Sequence, residues 1–376
     1  MKGNIVVENK NYLFADLFAG AGGFTIGFNQ AGYVPIKAVE FDPSIAETYK
    51  KNNPLTNMIV DDIKNVDKTN EFKYHDVDII VGGPPCQGFS MAGARNRNGF
   101  MGDPRNYLFK HYFNIVKKVK PKAFVLENVK GLLSMEKGAI FKEIKKIFSD
   151  KNLLNGDFYN LYWKVVNTID FGIPQRRERI VVIGVLNGEY KKEDFQALWN
   201  KTREQITKEN PNYFDYVNLE DAIGNMPIPT NDGVIEDPTP MTTYQRFLYH
   251  NGTIYNHTKR NYSNKVLARM SRIKPGENFT KLNENIKSIH SGSYGRMKWD
   301  EPTMTITTRF DTPSGGRFTL PHQNRTLTVR EAARIQSFPD DYRFYGNKTS
   351  INKQVGNAVP PKLAYFLALY LKKLLA

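Results

Sequence analysis

Short runs rich in Val, Ile and Phe alternate with helical stretches through the first half of the chain, which restricts it to βαβ units around a mostly parallel sheet. Seven runs are predicted as strands, at residues 12–18, 34–41, 56–63, 77–81, 122–128, 163–169 and 179–186. Together they make one α/β domain. From about residue 191 to 325 the rhythm gives way to Asn, Thr, Pro, Gly and Tyr, with one short helix predicted at 264–273. That stretch reads as a second, smaller and irregular domain. Helical spacing returns at 328–336 and again at 361–375, where Leu363, Phe366, Leu367, Tyr370, Leu371 and Leu374 recur on one face. The expected organisation is therefore 1–190, 191–325, and a segment 326–376 that returns to the first domain.

Charge narrows the partner. With 53 Lys plus Arg against 38 Asp plus Glu in 376 residues, the net charge is +15, enough for a long-range field that attracts a polyanion. Nucleic acid is the leading partner, and a solvated basic surface is the alternative. Cys86 is the only cysteine, so no disulfide within the chain and no multi-cysteine zinc site can form, and no metal is expected. The longest apolar run, residues 364–371, is far shorter than the roughly 18 residues of a membrane span. Glu8, Asn9 and Lys10 interrupt the start before it resembles a signal peptide. A soluble cytoplasmic protein is expected.

The chemistry gathers at predicted strand ends. Asp16-Leu17-Phe18-Ala19-Gly20-Ala21-Gly22-Gly23-Phe24 joins the first strand to a helix predicted at 23–30, a turn that lets a ligand approach the backbone. Thr25 stands where a dinucleotide fingerprint needs its last glycine, so a tight structural turn is an equal reading of this piece alone. Glu40 ends the next strand and can accept from two ribose hydroxyls, while Asp62 ends the third and can meet an adenine amino group. Three consecutive strand ends of this kind point to a nucleoside cofactor.

After the fourth strand comes Gly82-Gly83-Pro84-Pro85-Cys86-Gln87-Gly88-Phe89-Ser90. Its prolines stiffen a loop that holds a thiol at the same sheet edge, although a lone cysteine is ordinarily a small buried hydrophobe. Glu127-Asn128-Val129 ends the fifth strand, where burial raises a carboxyl pKa toward the protonated form. Gln175-Arg176-Arg177-Glu178-Arg179 precedes the last strand and suits a phosphate or a polarised carbonyl, with an exposed charge run as the ordinary account.

As an ordered set these residues resemble the C5-cytosine DNA methyltransferase family. The matching pieces are Asp16 to Gly23, Glu40-Phe41-Asp42, Asp61-Asp62-Ile63, Gly83-Pro84-Pro85-Cys86, Glu127-Asn128-Val129 and Gln175 to Arg179. Arg330-Glu331-Ala332-Ala333-Arg334-Ile335-Gln336-Ser337-Phe338-Pro339 and Gln354-Val355-Gly356-Asn357-Ala358-Val359-Pro360 complete the set. Only the middle, variable in this family, is unmatched.

The resemblance implies a class I S-adenosylmethionine-dependent methyltransferase fold, Rossmann-like, with a small target-recognition domain and double-stranded DNA between the two. It implies that Phe18, Gly20, Gly23, Glu40, Asp62, Pro84 and Asn357 contact S-adenosylmethionine, and that Cys86, Glu127, Arg177 and Arg179 are catalytic. Cys86 would add to C6 of a flipped cytosine, making C5 nucleophilic enough to take the methyl group. Glu127, protonated, would bond N3, Arg177 would contact O2 and help hold the thiolate, and Arg179 would brace them. No base for the C5 proton is named. A monomer is expected, with a restriction endonuclease of the same site as a partner in function without a stable complex.

Ser90 and the loop 93–105, with Arg95, Arg97 and Arg105, are expected to fill the vacated space in the duplex and grip the strand. Between residues 257 and 309, eleven Lys and Arg face four Asp and Glu, interleaved with Tyr262, Phe279, Tyr294 and Trp299, a composition for phosphate contact and major-groove reading. Residues 303–309 alternate like a strand. Arg309 and Arg317, the latter on a tight loop at 311–318, are the expected DNA contacts there. Four rivals are weaker. An oxidoreductase lacks its fingerprint, and a tRNA methyltransferase of the same superfamily would carry a Cys-Phe-Thr segment that a chain with one cysteine lacks. An inactive DNA-binding relative would have lost catalytic positions that are all present here. Transfer to an exocyclic amine would use Asp or Asn before Pro-Pro and an aromatic.

Overall fold

The computed structural model describes residues 11–85, 107–236, 239–250, 252–284, 286 and 291–376. Seven strands form one sheet: β1 (Leu13–Leu17), β2 (Val34–Glu40), β3 (Asn57–Val60), β4 (Ile79–Gly82), β5 (Ala123–Val129), β6 (Tyr159–Asn167) and, after the two-residue β7 (Gln175–Arg176), β8 (Glu178–Leu186). Their order is β3-β2-β1-β4-β5-β8-β6. All neighbours are parallel except β8, which runs antiparallel to both β5 and β6. The mostly parallel sheet expected from the sequence is the observed one. β5 is apolar without alternation because both faces of the sheet are covered.

One face is covered by α1 (Gly23–Gln30), α6 (Lys192–Glu209) and α12 (Pro361–Leu374), whose Phe24, Phe28, Trp199, Leu363 and Phe366 join the core under β1 and β8. On the other lie α4 (Leu108–Val119) and α5 (Ala139–Ser149), burying Phe109, Tyr112, Ile140 and Phe148. The tail helix α12 packs directly on α1. Between these, α2 (Pro43–Asn52) and the one-turn α3 (Ile63–Val66) connect the first strands. Among the described residues no helix is long and apolar enough to cross a membrane.

Three expectations change. β6 begins at Tyr159 and stops at Asn167, short of the predicted 169, because Thr168–Phe171 coils into a 3-10 turn. As an edge strand it mixes Tyr, Asn and Lys with its apolar residues. α6 falls inside the stretch read as irregular, yet it packs in the sheet's own core: its buried side is only Phe195, Trp199, Thr202 and Ile206 on an otherwise charged helix. Of the strand expected at 303–309, only β11 (Thr303–Met304) forms, parallel to β7.

The irregular region contains α7 (Leu219–Ile223), α8 (Thr243–Leu248), a two-stranded pair β9 (Ile235–Glu236) and β10 (Thr253–Ile254), and α9 (Asn264–Ser271). It packs through Leu219, Tyr244, Leu248, Ile306 and Phe310 onto α10 (Val329–Ile335) and α11 (Lys348–Asn357). With few ladders, its buried carbonyls need other donors. Arg296 donates to the carbonyls of Met270 (2.5 Å), Ile273 (2.5 Å), Leu320 (2.7 Å) and Gln323 (3.0 Å) and to Asn324 Oδ1 (2.6 Å). Arg330 does the same for Tyr255 (2.8 Å), Pro339 (2.8 Å) and Tyr342.

Candidate active site

The carboxyl ends of β1 to β5 meet at one edge of the sheet, where the parallel arrangement leaves a crevice for ligands. The chain leaves β1 through Phe18, Gly20 and Gly22 with φ of 60°, 56° and 81°, the left-handed values that glycine adopts without cost and Phe18 does not. Gly20 N–H donates to Glu40 Oε2 and Asp42 N–H to Glu40 Oε1, both at 2.9 Å. Glu40 is thereby aimed across the glycine turn, and burial raises its pKa. Asp62 stands at the end of the adjacent strand, half-buried, and accepts from Lys64 N–H at 3.0 Å. Phe41 lies 70% exposed beside these carboxylates.

Gly23 has a different reason to be glycine. A Cβ there would lie 2.0 Å from Val359 O, so the position serves the approach of the tail to α1 rather than that of a ligand. Gly356 likewise lets the backbone of Thr307 and Thr308 pass, at 2.6 Å from where a Cβ would be, which leaves Asn357 exposed at the end of α11. Beneath the glycine turn, Thr25 Oγ1 donates to Asp16 Oδ2 at 2.8 Å, and burial pushes the Asp16 pKa up to about 7. Tyr342 OH donates to Ala21 O at 2.5 Å.

β4 delivers Gly83, Pro84 and Pro85 to the same edge. Asn128 Nδ2 donates to Pro84 O at 2.8 Å, tying this loop to the end of β5. Cys86, Ser90, Arg95, Arg97 and Arg105 lie outside the described residues. Glu127, 8% exposed, sits against the loop: a Cβ on Gly83 would be 3.2 Å from its Oε2. Burial raises its pKa, opposed by the charges of Arg179 and Arg177.

The two arginines are placed differently from one another. Arg179 Nε lies 2.9 Å from Glu127 Oε1, Nη1 donates to Glu178 O at 2.7 Å, and Nη2 has no acceptor among the described residues. Arg177, 2% exposed, instead donates to the carbonyls of Ile306 (3.1 Å), Gly356 (3.1 Å) and Ala358 (3.2 Å). Its terminal nitrogens are taken up by backbone, whereas Arg179 lies beside Glu127.

Arg309 is exposed and Arg317 half-buried on the irregular region. Sequence reasoning missed Asn128, Gln175, Tyr342, and the buried Asp16–Thr25–Tyr49 cluster as site-building residues. Gln175 Oε1 accepts Ile306 N–H at 3.1 Å and its Nε2 reaches Gln336 Oε1 at 2.5 Å, joining β7 to residues 306 and 336. Asn128 and Gln175 lie inside the quoted motifs, where their neighbours drew the attention. Nothing local signals Tyr342.

A family model described as C-5 cytosine-specific DNA methylase matches residues 12–373. The chain is 37% identical over 362 residues to the Type II methyltransferase M1.HphI of Haemophilus parahaemolyticus, covering 94% of this chain and 85% of that protein. It is 34% identical over 383 residues to M.DdeI of Desulfomicrobium norvegicum, covering 94% and 86%. Among solved structures, an E. coli prophage-encoded protein assigned as a DNA modification methyltransferase superposes with a TM-score of 0.71 at 26% identity, covering 97% of this chain and 99% of that one. S. pombe Dnmt2 methyltransferase superposes at 0.61 with 16% identity and 97% and 99% coverage, a likeness of fold alone.

Proposed function

Since the chain belongs to the C-5 cytosine-specific DNA methylase family and is a DNA (cytosine-5)-methyltransferase, we propose that it modifies a cytosine flipped out of a specific duplex sequence, with S-adenosylmethionine as methyl donor and Cys86 as covalent nucleophile. The observation that supports this most is the buried Glu127, lying against the Pro-Pro-Cys loop and held by Arg179.

The donor set fits the cofactor. Glu40 keeps lone pairs for ribose hydroxyls, Asp62 accepts from an adenine amino group, and the exposed Phe41 ring offers an apolar wall. Phe18 and Gly20 line the approach from the turn, and Pro84 and Asn357 flank it from the loop and tail. S-adenosylmethionine supplies an electrophilic methyl group.

The protein's part is to make C5 a nucleophile. The Cys86 thiolate adds to C6, and the displaced electron pair moves into the ring, where N3 becomes basic. Glu127, protonated because burial disfavours its anion, donates at N3. Arg179, whose Nη2 has no acceptor among the described residues, would donate to the carbonyl O2. Arg177 acts at one remove, fixing residues 306 and 356–358 against β8. As C5 takes the methyl carbon, the donor's S–CH3 bond would break with its electron pair to leave S-adenosylhomocysteine; the C5 proton then passes to water, and its electrons re-form the C5–C6 double bond and expel the Cys86 thiolate.

The protein is proposed to act as a monomer in the bacterial cytoplasm, alongside a restriction endonuclease that reads the same site. Its recognition unit is proposed to begin after α6, which belongs to the sheet's core. The test is incubation with radiolabelled S-adenosylmethionine and duplex DNA containing 5-fluorocytosine, with tRNA in parallel. A labelled protein–DNA adduct that survives denaturing electrophoresis is expected. Label in tRNA alone, or in neither, would refute the reading.

A further inference from the structure

Arginines in the irregular region are almost all occupied by the protein itself. Arg260, Arg269, Arg272 and Arg325 pair with carboxylates, and Arg296 with backbone carbonyls. Arg309 and Arg317 differ: among the described residues, neither guanidinium has a carboxylate, a carbonyl or an aromatic ring as partner. An arginine without an internal partner is ordinary on a mobile surface. Arg317 is not mobile in that sense.

Its stem is pinned. A Cβ on Gly295 would lie 2.7 Å from both Cβ and Cγ of Arg317, so the side chain lies flat across that glycine. The loop that bears it is fastened along its length: Tyr294 N–H donates to Pro313 O at 2.6 Å, Ser293 Oγ to Ser314 O at 2.9 Å, and Thr319 N–H to Gly295 O at 3.0 Å. Nε is buried without a partner. The stem is thus held through Cγ with Nε buried, and among the described residues nothing pairs with the two Nη groups. Glu301 lies within electrostatic reach of both Arg317 and Arg176. Arg176 belongs to β7 and adjoins Arg177.

Arg309 is held differently. Only its Cβ is confined, 2.9 Å from where a Cβ on Gly315 would lie, and the side chain is exposed beyond it. Base reading needs a donor pair fixed in direction, whereas a phosphate grip tolerates a swinging cation.

We propose, resting on the methyltransferase reading, that Arg317 reads a guanine in the major groove of the recognised sequence through its two Nη groups, donating to O6 and N7, while Arg309 grips the DNA backbone without reading sequence.

The test is methylation of a duplex library randomised around the target cytosine, read by bisulfite sequencing, for the wild-type protein and for R317A, R317Q and R309A. The expected wild-type profile requires guanine at one position apart from the methylated pair. R317A is expected to relax that position alone, reducing the preference for guanine by roughly 10–100-fold. R317Q, which keeps a fixed planar donor, is expected to shift it toward adenine and covers the case in which R317A fails to fold. R309A is expected to weaken methylation of all sequences alike, with a salt dependence of binding shallower by about one ion. An unchanged profile in R317Q, a uniform loss in both Arg317 variants, or a reshaped profile in R309A instead would overturn the assignment. A wild-type protein that methylates nothing would sink the broader reading, which is a separate result.

Discussion

The sheet and the irregular region satisfy their buried backbone in opposite ways. In the sheet, each strand's N–H and C=O groups meet those of its neighbours over continuous registers such as Ala123–Val129 against β8. In the irregular region, the long side chains of Arg296 and Arg330 take that task for segments that have no ladder. A ladder spreads its stability over many similar bonds. A guanidinium concentrates it in one residue, so the irregular region depends on single side chains in a way the sheet does not.

The largest test asks whether the chemistry belongs to the sheet half at all. Cys86→Ala is expected to abolish turnover and leave DNA binding largely intact, measured by labelled methyl transfer and by gel shift. Residual methylation near the wild-type rate would exclude Cys86. Glu127→Gln keeps the shape but not the transferable proton, and kcat is expected to fall by roughly 10²–10⁴-fold with little change in DNA affinity. An unaltered rate would remove Glu127 from proton transfer.

Arg296→Met probes the other half. Several buried carbonyls lose their donor at about 1–3 kcal/mol each, so a loss on the order of 3–5 kcal/mol is expected. Hydrogen exchange should rise between residues 262 and 324 while β5 and β8 stay protected. Uniform loss of protection would mean that the two regions are one cooperative unit.

Lys362 sharpens the comparison at the seam. Buried, it donates to Gly172 O at 3.1 Å from the sheet side and lies 4.6 Å from the ring of Tyr213 and 5.3 Å from that of Phe247. Burial lowers its pKa from 10.5 to about 7. Between those values the unfolded chain holds one more proton than the folded one, so stability rises with pH there, by at most about 1.4 kcal/mol per pH unit. Below pH 7 the ammonium is charged in both states and the penalty is complete. Lys362→Met is expected to flatten the slope between pH 7 and 10.5 in chemical denaturation. An unchanged slope would show that Lys362 titrates normally. The smallest effect is expected from Ile183→Val in β8, about 0.5–1.5 kcal/mol, because the ladder is untouched and one methyl group is lost.

Legibility followed the same division. Residues 122–128 read as a strand because a strand covered on both faces is apolar throughout, and the strand-end carboxylates Glu40 and Glu127 could be placed from the strands they end. α6 escaped because four buried positions on a charged helix leave a faint stripe. The placement of Arg177 was not legible for a geometric reason: it occupies the break between β7 and β8, where its side chain meets carbonyls of the tail instead of continuing the row beside Glu127.

By itself the sequence determined the class of fold, where the strands of the sheet lie along the chain and the edge at which the chemistry gathers, because these follow from local periodicity and from motifs that lie at strand ends. Tertiary structure alone decided which arginines are structural and which are free. The carbonyls that occupy Arg177 lie 129, 179 and 181 residues further along the chain, and no local pattern records a contact closed over that distance.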